Sequence, residues 1–258
     1  MRRSFWGPLM LTAMAAFAIA SSGGAQQAAP ATNSDIDRAA MSALEKMGYY
    51  LRTLKVFRVQ TRTTRDEVLP NGQKIQREGK ADLLVRRPDG LRAHVESDLQ
   101  DRMYFYDGKS FTLYGRRVGY YATTSAPATL GELVDVLEEK YDIDVPLADL
   151  FLWGTDKAAM SQIKDAVDVG PSEIDSTTCE QYAFRQDGLD WQVWLQQGAN
   201  PLPRKLVLTT TDDEARPEYS VTLTWDLAPA YNDAAFTFDP PSDAKKIVFA
   251  GDKTGSGR

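Results

Sequence analysis

Residues 77–114 most constrain what this chain can fold into, because they carry three strand signals in a row and the two turns that orient them. The run Met103-Tyr104-Phe105-Tyr106-Asp107-Gly108-Lys109-Ser110-Phe111-Thr112-Leu113-Tyr114 is aromatic and β-branched on both sides of an Asp-Gly pair, a strong hairpin signal. A two-residue loop predicts that Tyr106 pairs with Lys109 and Tyr104 with Phe111. Tyr104, Tyr106, Phe111 and Leu113 then share one face, and Met103, Phe105 and Tyr114 share the other. Both faces are apolar, so the hairpin must be buried between two layers, or wall a cavity whose outside is covered. Upstream, Ala81-Asp82-Leu83-Leu84-Val85-Arg86-Arg87-Pro88-Asp89-Gly90-Leu91-Arg92-Ala93-His94-Val95 reads as strand, turn, strand.

The remaining chain extends this theme. Val56 opens a period-two run with Phe57 and Val59 on one side, and Pro70-Asn71-Gly72 turns it back into residues 74–85. A strand closes on Tyr120-Tyr121-Ala122-Thr123. Five further strand-like runs cover residues 166–174, 178–186, 189–196, 204–211 and 218–227, with Leu189, Trp191, Val193 and Leu195 on one face and Trp194 on the other. Two helices interrupt the strands. The first is expected from Ser34, where Ser34-Asp35-Ile36-Asp37 resembles a capping box and Ile36, Ala40, Ala43, Met47, Tyr50 and Leu54 recur at helical spacing. The second follows the capping box Thr129-Leu130-Gly131-Glu132, with Leu130, Leu133, Val134, Leu137 and Tyr141 on one stripe. Residues 145–154 are unusually apolar for a connection and read either as a lid or stopper of a cavity or as a core helix under the sheet. The fold class is therefore α+β: an incomplete antiparallel barrel of about 10–11 strands with helices closing or plugging its cavity.

The N-terminus points to export. Met1-Arg2-Arg3 is basic, residues 9–20 are almost wholly apolar and residues 21–25 are small, the pattern of a signal peptide spanning 1–25. Its apolar core is shorter than the roughly 20 residues a permanent anchor needs. With no cysteine beside it for acylation, no stable membrane anchor is expected. A flexible leader, 26–33, a single domain, 34–249, and a disordered tail, 250–258, complete the expected organisation. Removal of 1–25 leaves 28 basic against 36 acidic residues, a net charge of −8 that argues against nucleic acid. The single cysteine, Cys179, excludes an internal disulfide and reads as a small buried apolar residue.

Chemistry-bearing motifs are scarce. His94 is the only histidine, too few for a histidine zinc site or a usual nucleophilic triad, and it reads as a strand-face residue. Asp212-Asp213-Glu214 lacks the calcium-loop pattern, and no glycine-rich phosphate loop follows a strand. No catalytic residue, metal site or cofactor is assigned. A glycosidase-type carboxylate pair stays open as a hydrolase alternative.

Three motifs carry a resemblance. The segment Gln76-Arg77-Glu78-Gly79-Lys80-Ala81-Asp82-Leu83-Leu84-Val85-Arg86-Arg87-Pro88 is the first. Asp107-Gly108-Lys109 followed by Phe111, Leu113 and Tyr114 is the second, and Phe236-Thr237-Phe238-Asp239-Pro240-Pro241 the third. In this order they resemble the periplasmic lipoprotein carrier superfamily of LolA and LolB, and most of all an uncharacterised exported bacterial group of that fold. The resemblance implies a Gram-negative periplasmic, non-enzymatic protein, a hydrophobic half-barrel cavity and a lipid acyl chain or acylated lipoprotein as ligand. It also implies that Arg87, at the arginine of the Arg-Pro motif, latches the helical lid. Expected lining residues are Phe57, Val59, Leu83 and Val85 on the first strands and Tyr104, Tyr106, Phe111 and Leu113 on the hairpin. Leu133, Leu137, Phe151 and Trp191 complete the set. A monomer is expected, and docking on an envelope partner protein, as in related stress regulators, is the alternative role.

Overall fold

The computed structural model describes residues 36–143 and 160–250. The expected signal peptide, leader and Ser34 cap, residues 145–154 with Phe151, and the expected tail from 251 lie outside the described residues.

Twelve strands form one sheet. β1 (Val56–Val68), β2 (Lys74–Arg86), β3 (Gly90–Ser97), β4 (Asp101–Tyr106), β5 (Ser110–Gly115) and β6 (Tyr120–Ser125) make a first meander. β7 (Asp165–Ile174), β8 (Thr177–Gln186), β9 (Leu189–Gln196), β10 (Pro203–Thr210) and β11 (Glu218–Asp226) make a second, and the three-residue β12 (Lys245–Ile247) follows. The spatial order is β12-β6-β5-β4-β3-β2-β1-β11-β10-β9-β8-β7. All neighbours are antiparallel except β12, which runs parallel to β6. The two meanders are joined through β1 and β11, which pair from Arg58↔Asp226 to Arg65↔Tyr219. β12 and β7 end the sheet without pairing to each other, so the barrel is incomplete, as expected, with one or two strands more than the sequence suggests.

Alternation assigns the faces. Phe57, Val59, Leu83, Val85, Leu91 and Ala93 point inward with Val193, Leu208, Val221 and Leu223 from the other half, and all are buried in one cluster. The residues between them, Arg58, Asp82, His94 and Glu96, face outward. There Arg58 Nε donates to Asp82 at 2.7 Å, and this bond holds the Asp82 carboxyl below the usual range. His94 is a strand-face residue, 2.9 Å from Asp101. Cys179 is fully buried in a separate small outer cluster with Trp194 and Val207, and burial raises its thiol pKa.

The central hairpin departs from the expected register. Tyr106 pairs with Phe111 and Tyr104 with Leu113, so the loop holds four residues rather than two. The cause is Asp107, whose carboxylate accepts from the N–H groups of Lys109 (3.0 Å) and Ser110 (2.8 Å) and from the Ser110 hydroxyl. Burial alone would raise the pKa of Asp107, but these donors outweigh it and hold the carboxyl low. Because the shift is two residues, the faces are unchanged. On the outer side, Phe238 covers Phe105, Tyr114 and Tyr121 with ring centres 5.0–5.3 Å away.

Two helices lie on the inner face. α1 (Arg38–Thr53) starts after Asp37, whose side chain accepts from Ala39 N at 2.7 Å, rather than at Ser34. Ile36 is therefore not part of its stripe; it bridges to Ala166 and is 48% exposed. The buried stripe is Ala40, Leu44, Met47 and Leu51, rotated from the expected set so that Ala43, Tyr50 and Leu54 are at its margin. α2 (Leu130–Tyr141) has the expected capping box: Thr129 Oγ1 donates to Glu132 Oε2 at 2.8 Å and accepts from Glu132 N at 3.3 Å. Leu130, Leu133, Val134 and Leu137 are its buried side. At the β7 edge a bulge falls between Asp168 and Gly170, where φ is +111°, and Pro171 follows.

The cap supports a direct expectation. Thr129→Ala should lower stability by about 1 kcal/mol, the usual loss for an N-cap side chain, read as a lower urea midpoint with unchanged slope. A changed slope, or no loss, would contradict the assignment of this cap.

Candidate hydrophobic binding site

The expected lining residues converge. Phe57, Val59, Leu83, Val85, Tyr104, Tyr106, Phe111, Leu133, Leu137 and Trp191 are buried in one cluster, and Leu113 packs at its margin. The wall is thus drawn from both meanders, and α1 and α2 supply its cover. Aromatic contacts tie it together: Phe57 lies 5.5 Å from Trp225, Tyr104 6.3 Å from Phe111, and Phe184 stacks on Trp191 at 4.3 Å. Among the described residues the buried polar side chains are Thr61 and Thr112, and none is charged. An interior lined in this way suits hydrocarbon and disfavours any ion, which would have no compensating partner there.

Polar groups gather instead where α2 begins. Arg87 N donates to Lys55 O at 2.7 Å, and Pro88 O accepts from Leu130 N, the first residue of α2, at 2.8 Å. Burial lowers the pKa of the half-buried Arg87 guanidinium. Tyr106 reaches out of the wall to donate its hydroxyl to Pro127 O at 2.7 Å, just ahead of α2. The far end of α2 is held by Tyr141, whose hydroxyl is 3.0 Å from Thr124 Oγ1 of β6.

Several wall residues have no counterpart in the sequence reading. Leu91, Ala93, Val221 and Leu223 alternate within strands that the sequence signals, so that alternation could have found them. Phe249, stacked on Phe111 at 6.2 Å and 5.0 Å from Tyr141, lies in no periodic run and carries no such signal. A separate open groove of about 490 Å³ lies between the exposed side of α1 (Glu45, Lys46, Tyr49) and Gly198, Ala199 and Pro201. None of the expected lining residues borders it.

Tyr106 gives the site a measurable titration. Burial first, then the nearby charges of Asp89, Glu132 and Asp107, push its pKa to about 12 from an ordinary value of 10.0. The raised value means that the folded state holds the phenolic proton more tightly than the unfolded state. The stability this lends is complete below pH 10 and is lost as the pH rises through about 12. Urea midpoints between these pH values should therefore fall more steeply for the wild-type protein than for Tyr106→Phe; parallel curves would contradict this environment for the phenol.

Comparison with known proteins follows the same lines. A family model described as "Predicted periplasmic protein (DUF2092)" matches residues 40–250. No protein of curated function matches the chain. Among solved structures, the lipoprotein LppX of Mycobacterium tuberculosis is similar at 13% identity and a TM-score of 0.50, over 76% of this chain and 98% of LppX. LprF from Mycobacterium bovis is similar at 15% identity and a TM-score of 0.47, over 81% and 99% of the two chains. The LolA superfamily protein NE2245 from Nitrosomonas europaea is similar at 12% identity and a TM-score of 0.31, over 77% and 97%. The LppX likeness shows the fold. The periplasmic location expected from the N-terminus agrees with the family description, and no helix among the described residues is long and apolar enough to cross a membrane.

Proposed function

Since the chain belongs to this DUF2092 family of predicted periplasmic proteins, we propose that it is a non-enzymatic binding protein whose half-barrel takes up the acyl chain of a lipid or lipoprotein-like amphiphile. The observation that carries the reading is the inner wall: apolar side chains from both meanders, with no buried charge among the described residues, roofed by two short helices rather than by a second sheet. A helix roof is removable in a way that a hydrogen-bonded strand is not. α1 and α2 satisfy their own backbones, so lifting one exposes apolar surface and breaks few hydrogen bonds to the sheet.

An alkyl chain entering under the roof restores what lifting it loses. Each methylene moved from water contributes about 0.8 kcal/mol, so a dozen carbons supply a large gross drive without any catalytic group. Arg87 is the proposed latch. Its main chain is fixed to Lys55, its neighbour Pro88 receives the first N–H of α2, and its guanidinium is half-buried. A rigid fork of donors suits the holding of helix carbonyls.

The test is binding of a dansyl-labelled undecanoate to delipidated protein. Micromolar or tighter affinity is expected. Competition by unlabelled fatty acids should strengthen up to about fourfold per added methylene, the ratio that full burial of a CH2 implies, until the hollow is filled. Folded protein that binds no probe, or affinity indifferent to chain length, would overturn the proposal.

A further inference from the structure

The C-terminal segment passes from the outer face of the sheet to the inner face around the β6 edge. Outside, Phe236 is buried beneath the Arg86 guanidinium, 4.6 Å from its ring centre, and Phe238 sits among Phe105, Tyr114 and Tyr121. Lys245, Lys246 and Ile247 then pair with β6, all three with exposed side chains. Two residues later the chain is inside: Phe249 is 9% exposed and belongs to the main core cluster. Its ring touches both partners that an entrance there would separate, Phe111 of the wall at 6.2 Å and Tyr141 of α2 at 5.0 Å.

The two ends of α2 are moored differently. Its start is held by Leu130 N on Pro88 O, in the turn between β2 and β3, and by the Tyr106 hydroxyl on Pro127 O. Its last residue meets the sheet through the hydroxyl contact of Tyr141 with Thr124 and through the Phe249 ring. The segment between Phe238 and Phe249 carries no buried side chain, and few buried contacts mark the less protected parts of a fold.

We infer that Phe249 is a displaceable plug that closes an entrance for a single alkyl chain between the C-terminal end of α2 and the β5–β6 edge. Phe236 and Phe238 are the anchor that keeps the strap attached when the plug is out. The inference rests on the alkyl-binding reading above. Methylenes take the place of the benzyl group against Phe111, so the wall is not left facing water.

The test compares wild-type protein with Phe249→Ala by stopped-flow binding of the dansyl-labelled undecanoate, each variant first confirmed folded by circular dichroism. Removing a plug that competes with the ligand should raise the association rate and tighten the apparent affinity by about tenfold, because the binding-competent population no longer carries the cost of opening. Amide hydrogen exchange of ligand-free wild-type protein is the second measurement: residues 245–249 should exchange faster than β5. Binding by both proteins with equal rate and affinity would overturn the plug while leaving the alkyl site standing. Failure of both folded proteins to bind would overturn the alkyl site, and exchange of 245–249 as slow as β5 would overturn the strap regardless of ligand.

Discussion

The ladder between β1 and β11 turns two separate meanders into one wall. β1 pairs along its whole length with β2 on one side and from Arg58 to Arg65 with β11 on the other. Each meander is made of neighbours in sequence, and the ladder puts Leu223 and Val221 of the second beside Thr61 and Thr63 of the first on one inner face with Phe57, Val59 and Leu83. Joining them brings together segments far apart in the chain, a contact that forms only after a large loss of loop entropy. The burial of the apolar inner face is what rewards the closure.

Charge and hydrocarbon are kept apart by the pleat. On the same strands that line the hollow, Arg58 pairs with Asp82, Lys80 with Glu96, and His94 with Asp101. These pairs are exposed or partly exposed and add little stability each. Their greater effect is on register, because a slip by one residue would carry every one of them onto the apolar inner face. The second cluster, Cys179 with Trp194 and Val207, is an exception on the outer side, and there Lys205 lies 5.0 Å over the Trp194 ring.

Strands were legible wherever the period was two and the turns were bounded by Asn-Gly or Asp-Gly, so both faces of β1–β5 and β9 follow from residue order. The loop length of the central hairpin was not legible, because it depends on how many N–H groups Asp107 captures. The start of α1 was obscured because Ser34 and Asp37 both offer a capping oxygen, and it is Asp37 that bonds Ala39. Most of the candidate wall follows from alternation, since a residue between two polar neighbours on a strand must face the core. Phe249 does not follow: it is buried by what the strap wraps around, a property of the path and not of any local pattern. β12 is likewise three exposed residues whose parallel pairing comes from the Phe238 anchor before it.

An open barrel leaves two edges with free backbone groups, and each is a template on which another chain could grow. β7 spoils its own edge: the bulge at Gly170 twists the strand, Pro171 lacks an N–H, and Asp168 and Glu173 add like charges against a second copy. β12 masks the other with a stub carrying Lys245 and Lys246. A sheet guarded in this way can stay unclosed without offering a seam for polymerisation.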